Sequence, residues 1–180
     1  MDFKQYINFW RGKRRLEWLS LLVIYPITIS IAFALIMPML VDLKWQLDKI
    51  GFYLNIMGYG IGVLASFASS WIINKLGKRN VLILAAAGQV VGIFLLLLIE
   101  QGYSTEYLIV FIVIVIFCFT TPSAVVMTTL MMDESSEDRP AAQFAIQHSI
   151  YMFSGIFFGG LAVSIAGVFG YKSVIITGIF

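Results

Sequence analysis

The polar side chains that could bind or move a solute cluster in one apolar stretch late in the sequence. Gln143, Gln147, Tyr151 and Ser154 recur there at spacings of four, four and three, which places them along one face of a helix. Amides and hydroxyls in such a row can line a solute pathway, or they can hydrogen-bond to a neighbouring helix. Gln147 and Tyr151 are the candidates for pathway lining, and both interpretations stay open.

One histidine and one acid near this row could carry a proton. His148 is the only histidine, the side-chain type whose charge can change near neutral pH, and Asp133 precedes the polar link before it. Ionisable groups at the border of an apolar stretch often serve proton movement. Asp133 and His148 are therefore candidates for proton coupling. The alternative is a histidine that only hydrogen-bonds at the membrane boundary.

The sequence lacks the arrangements typical of catalysis. An enzyme embedded in a membrane needs a clustered nucleophile, an acid pair or a His-rich metal motif, and none stands in the apolar stretches. Cys118 is the only cysteine, so neither an intrachain disulfide nor a Cys-based metal site can form. We predict no enzyme activity, no catalytic residue, no metal and no cofactor.

The elements that hold these residues follow from composition. Of the 180 residues, 60% are hydrophobic and 12% charged, which indicates a membrane rather than water as the main solvent. Uncharged runs of this length span a bilayer as helices, because each backbone amide must be paired inside the segment. We predict an all-α polytopic membrane protein with five complete transmembrane helices and a truncated sixth. The predicted helices cover residues 18–41, 50–74, 80–99, 107–132, 142–168 and 173–180, after a basic segment at 1–17.

The distribution of cations predicts the orientation. Nine of the twelve Lys and Arg residues fall on the side of the N-terminus and of the second and fourth links. Because cytoplasmic loops are enriched in Lys and Arg, the N-terminus is expected in the cytoplasm. The inner (cytoplasmic) membrane is the location expected for the transporter that the resemblances described below imply. The net charge of +2 is too small to indicate a nucleic-acid partner.

The link between the second and third predicted helices resembles the signature of the major facilitator superfamily. The chain reads SSWIINKLGKRNVLIL there, and Gly77 permits the turn that a short hairpin needs. The resemblance implies a gating role for this link, and a central cavity lined by the first and fourth helices. A plain cytoplasmic anchor is the alternative for the basic link. The link positions in register with the signature are Ser70, Asn74, Lys75, Gly77, Lys78 and Arg79; four of these six agree with it, whereas Ser70 stands at a Gly position and Asn74 at an Asp position. The implied cavity residues are Tyr25, Thr28, Thr121 and Ser123.

A second stretch, TTLMMDESSEDRPAAQFAIQHSIYMFSG, is similar to the siderophore importers for rhizobactin and pyochelin and to muropeptide and acetyl-coenzyme A transporters. This similarity implies that Asp133 and Gln147 correspond to functional positions of those transporters. It implies a secondary transporter, a symporter that imports a medium-sized polar solute such as a siderophore or a muropeptide. Its partners would be the lipid bilayer, the solute and a second six-helix half that this chain lacks. Drug efflux coupled to protons is the alternative, and a non-transporting assembly or regulatory subunit is the alternative of another class.

Five glycines have the spacing of packing positions. Gly58, Gly60, Gly62, Gly155 and Gly159 have spacings typical of close helix contacts, and we predict that they let neighbouring helices approach.

Overall fold

The computed structural model describes residues 10, 13–103, 105–135, 137 and 139–178. Most of the predicted basic segment at 1–17 therefore lies outside the described residues. Within them the chain is helical, and five helices are long and apolar enough to cross a membrane. The predicted all-α polytopic membrane fold is confirmed. The helices are α1 (Lys13–Asp42), α2 (Leu47–Leu76), α3 (Lys78–Glu100), α4 (Glu106–Asp133), α5 (Pro140–Phe169) and the short α6 (Tyr171–Thr177).

The helices extend beyond the uncharged stretches that predicted them. α1 begins at Lys13, and α4 runs from Glu106 to Asp133. Charged residues can continue a helix at the membrane surface, because their side chains reach water while the backbone stays hydrogen-bonded. The links are correspondingly short. Gly77 alone separates α2 from α3, and its φ of 77° is the positive value that the tight hairpin requires.

α2 changes its winding near one end, which the sequence did not predict. Residues Phe52–Met57 form a π-helical segment between the α-helical parts Leu47–Gly51 and Gly58–Leu76. A π segment has more residues per turn and turns the following side chains relative to the preceding ones. Such segments are rare and often lie at functional sites.

The helices form one bundle in which α4 lies between α2 and α3, and α1 packs along α5. α3 also contacts α1, and α6 contacts α5, α3 and α1. Buried aliphatic side chains from α1, α3 and α4 fill the interior, with Leu35, Leu40, Ile93, Leu96, Ile112 and Ile116 among them. α2 and α5 keep large apolar side chains on their outer surfaces, as Phe67 and Phe153 show. An apolar exterior is what a lipid environment requires.

The links between the helices lie at two ends of the bundle. The basic end carries the start of α1, the link at Gly77 and the link between α4 and α5. The opposite end carries the links between α1 and α2, α3 and α4, and α5 and α6.

Candidate solute-binding face

The two predicted proton-coupling residues lie at the basic end but do not contact each other. Asp133, the last residue of α4, pairs with the ammonium group of Lys78. His148 stacks on Phe144, with ring centroids 5.7 Å apart. The structure thus joins Asp133 to the link between α2 and α3 rather than to the histidine. Proton coupling by Asp133 and His148 stays a prediction.

Glu134, next to Asp133, forms two further ion pairs. Arg15 Nη1 lies 2.7 Å from a carboxylate oxygen of Glu134, and Arg14 Nη2 lies 3.2 Å from the other. The neighbouring acids Asp133 and Glu134 therefore bind α3 and α1, respectively. Together they tie three helices at the basic end.

The predicted gating link is only partly joined to the rest of the bundle. Lys78 makes the contact with Asp133, and Lys75 Nζ lies 3.9 Å from the centre of the Trp71 ring. The remaining three polar positions are exposed and have no hydrogen bond or ion pair to any described residue; they are Ser70, Asn74 and Arg79. A gating role for these residues stays a prediction.

Gln147 is fully buried, and protein groups use both ends of its amide. Its Oε1 accepts a hydrogen bond of 2.6 Å from Trp18 Nε1, which joins α5 to α1. Its Nε2 lies within hydrogen-bond distance of the Met131 carbonyl and of Ser135 Oγ, both at 3.1 Å. This arrangement favours the second of the two interpretations that the sequence left open, a bond to neighbouring helices.

Tyr25 and Ser123 lie inside the bundle rather than on its surface. Gln89 Nε2 on α3 donates to Ser123 Oγ at 2.9 Å, and the Ser123 hydroxyl donates to the Thr120 carbonyl at 2.7 Å. The Tyr25 hydroxyl donates to the Leu82 carbonyl at 3.2 Å. These contacts connect α1, α3 and α4 through polar groups. Gln89 is the partner that spacing alone could not identify, because its sequence neighbours do not indicate which helix it meets.

Tyr151 and Thr28 line different grooves on α1. A groove of about 350 Å³ between α1 and α5 is bounded by Ser30, Phe33 and Tyr151. A groove of about 650 Å³ on the side of α6 is bounded by Thr28 and Phe158. Thr28 is thus directed towards α5 and α6, whereas Tyr151 lies on the same side of the bundle as Phe33.

Three aromatic rings from three helices meet on that side. The Phe117 ring of α4 packs edge to face with Phe33 of α1 and with Tyr59 of α2, at centroid distances of 5.3 and 5.6 Å. Thr121, four residues after Phe117, lies against Gly62 of α2. We call this surface the open face; it is formed by α1, α2, α4 and α5 and carries Phe33, Tyr59, Phe117, Thr121 and Tyr151.

The opposite end is held by two further polar contacts. Glu106 of α4 accepts a hydrogen bond from Tyr53 and lies 3.6 Å from Lys49 Nζ, both on α2. The Tyr171 hydroxyl donates to Asp42 at 2.6 Å, which joins α6 to α1. Burial, together with this bond to a carboxylate, raises the pKa of Tyr171 to about 12.

The comparison with known protein families agrees with this geometry. The family described as sugar (and other) transporter matches residues 3–145, which include α1 to α4 and the start of α5. No solved structure matches the chain. The matched family is one of transporters and not of enzymes. Because the match covers well over half of the residues, the chain belongs to the sugar (and other) transporter family and is a multi-pass membrane transporter of the major facilitator type.

Proposed function

We propose that this chain is the N-terminal half of a secondary active transporter that imports a medium-sized polar solute, a siderophore or a muropeptide. The observation that carries the proposal is the set of polar groups on the open face. Tyr59, Thr121 and Tyr151 have no hydrogen-bond partner among the described residues, although they stand in helices of membrane-spanning length, and the same holds for Asn55, one turn before Tyr59 on α2. Lipid offers such groups no partner, whereas a polar solute in a water-lined cavity does.

The proposed movement is rocking of two halves around a site between them. The contacts at both ends of the bundle support movement of this chain as one unit, because they join helices within the half. A second six-helix half would then face the open face and supply the other wall of the cavity.

Sugar import is the second candidate function. The family match favours it, because the matched family is described by sugars among other solutes. A hexose presents several hydroxyl groups to the same unpartnered side chains. Both candidates therefore require a polar solute at the open face, and they differ in its identity.

Uptake measurements separate these candidates. Cells with and without the intact gene would be given radiolabelled ferric siderophore, muropeptide or hexose. We expect gene-dependent uptake of the siderophore or the muropeptide, and its loss when a protonophore removes the proton gradient. Uptake of hexose alone would replace the proposed solute by a sugar.

Two variants examine the coupling. Asp133→Asn and His148→Ala are expected to abolish proton-dependent uptake while the protein stays in the membrane. Unchanged uptake in both variants would assign Asp133 and His148 to structural contacts. Equal uptake of all three solutes with and without the gene would contradict the import proposal itself.

A further inference from the structure

The aromatic contacts on the open face leave two rings accessible. Phe117 is only 6% exposed, whereas Phe33 is 39% and Tyr59 is 66% exposed. Phe117 thus serves as the support against which the two outer rings pack edge to face. The outer rings come from α1 and α2, so a flat molecule placed between these helices would contact both.

The support is fixed in place by its contact with the α2 backbone. A Cβ atom at Gly58 would lie 2.7 Å from the tip of the Phe117 ring, and one at Gly62 would lie 3.4 Å from the ring. The absence of side chains at these positions lets the ring lie directly against α2. Rings held in this way are ordered before a ligand arrives, which lowers the entropy cost of binding.

The cluster lies in the membrane interior. Phe117 is about eleven residues from the start of the 28-residue α4, which corresponds to about 17 Å at helical rise. Tyr59 is a similar distance from the start of α2, and Phe33 lies in the second half of α1. The cluster is therefore near the middle of the bundle, displaced towards the opposite end. Transporter binding sites lie at this depth.

Two hydrogen-bonding groups stand beside the rings. Asn55 lies about one turn before Tyr59, within the π-helical segment Phe52–Met57. Asn55 is exposed, and neither its amide nor the Tyr59 hydroxyl bonds to a described residue. An amide and a hydroxyl at membrane depth need a polar partner. The spacing of four residues places the Asn55 amide on about the same face of α2 as Tyr59, one turn before it.

From this geometry we infer a binding subsite formed by Phe33, Tyr59 and Asn55 over Phe117. Its ligand has a flat, apolar face and hydroxyl or carbonyl groups at its edge. The face stacks on the two outer rings, and the edge hydrogen-bonds to the Asn55 amide and the Tyr59 hydroxyl. A pyranose ring and a dihydroxylated aromatic ring both have this chemistry. The inference rests on the proposed transport function and specifies the part of the solute that the chain recognises.

Binding to the purified full chain in nanodiscs tests the inference by calorimetry. The probes are methyl glucopyranoside, catechol and the open-chain polyol sorbitol, which has hydroxyls but no flat face. We expect binding of at least one ring probe and none of sorbitol. Phe33→Ala and Tyr59→Ala are each expected to raise Kd by about fivefold to tenfold, the amount that loss of one aromatic contact predicts.

Three further variants sharpen the result. Tyr59→Phe keeps the ring and removes the hydroxyl, so it should lie between the unchanged protein and Tyr59→Ala. Asn55→Ala should weaken binding through its amide alone. The control is Phe67→Ala, which removes another ring of α2. The Phe67 side chain is 77% exposed and turned away from Phe117, so this variant should leave Kd unchanged. Equal thermal midpoints across the variants would show that folding is intact.

The outcomes separate the subsite from the transport function. No binding of either ring probe, or equal Kd values for Tyr59→Ala and Phe67→Ala, would overturn the subsite even if cells still import solute. Ring-dependent binding without gene-dependent uptake would keep the subsite and remove the transport proposal. Tighter binding of methyl glucopyranoside or of catechol identifies whether the subsite binds a pyranose ring or a dihydroxylated aromatic ring.

Discussion

Single polar side chains in this bundle have different roles despite their regular spacing. In the row of α5, Gln147 bonds to Trp18 and to the α4 backbone, and the Ser154 hydroxyl donates to the Val23 carbonyl at 2.6 Å. Tyr151 instead borders the groove between α1 and α5. Spacing predicted the shared face, but the partner of each side chain depends on the neighbouring helix. The row therefore joins α5 to its neighbours and also reaches the open face.

The contact between Trp18 and Gln147 can be examined by a double-mutant cycle. Gln147→Leu should lower the free energy of unfolding by about 1–3 kcal/mol, because Trp18 Nε1 loses its acceptor in a partly buried place. Trp18→Phe should cost less, since the remaining Gln147 amide still bonds to the Met131 carbonyl and Ser135. Unfolding would be followed in detergent by circular dichroism.

The cycle distinguishes a structural role from pathway lining. The double variant should be less destabilised than the sum of the single variants, because the shared hydrogen bond is lost only once. If the changes in the free energy of unfolding were additive, and if Gln147→Leu lowered uptake without lowering stability, Gln147 would be assigned to the lining of the solute pathway.

At the scale of elements, close helix contacts depend on which face a glycine occupies. Gly58 and Gly62 face α4, and Gly155 and Gly159 face α1, as the packing prediction requires. Gly60 has no atom within 4 Å of its Cβ position, so its predicted packing role is wrong. Two residues along a helix correspond to a turn of about 200°, which directs Gly60 away from α4.

Gly88 gives the sharpest prediction for helix packing. A Cβ at Gly88 would lie 2.1 Å from Cγ of Phe119, so α3 and α4 would have to separate or the ring would have to move. Gly88→Ala should therefore destabilise the bundle by about 1–3 kcal/mol and lower the thermal midpoint in detergent.

Gly60→Ala is the matched control in an open helical position. It should leave the midpoint unchanged or raise it slightly, because alanine favours the helix by up to about 1 kcal/mol. Equal midpoints for the two variants would mean that α3 and α4 do not pack as closely as the Gly88 position indicates.

The sequence predicted elements better than contacts. Uncharged runs such as Asn80 to Ile99 predict membrane helices, because hydrocarbon forces each segment to pair its own backbone groups. The π-helical segment Phe52–Met57 has no comparable signal, because hydropathy and spacing do not distinguish π from α winding. The aromatic cluster has no such signal either: Phe33, Tyr59 and Phe117 are far apart in sequence, and only the packing of three helices brings them together.

For the whole molecule, polar contacts at both ends of the bundle hold the helices together. The three ion pairs at the basic end join α1 and α3 to the end of α4, and the contacts of Glu106 and Tyr171 join α2 to α4 and α6 to α1. The membrane-spanning region between them is packed mainly by apolar side chains. This division agrees with a bilayer whose surfaces are wet and whose interior is not.

The orientation of this bundle in the membrane can be measured with single cysteines. In a Cys118→Ser background, Gln101→Cys places an exposed thiol at the opposite end, and Glu137→Cys places one at the basic end. Neither substitution removes a Lys or Arg, so the charge distribution that sets orientation is kept.

In right-side-out vesicles, a membrane-impermeant maleimide should label Gln101→Cys at once and Glu137→Cys only after permeabilisation. The reverse pattern would place the N-terminus outside and contradict the orientation predicted from the basic residues. Labelling of both without permeabilisation would contradict the crossing of the membrane by α4, which separates the two positions.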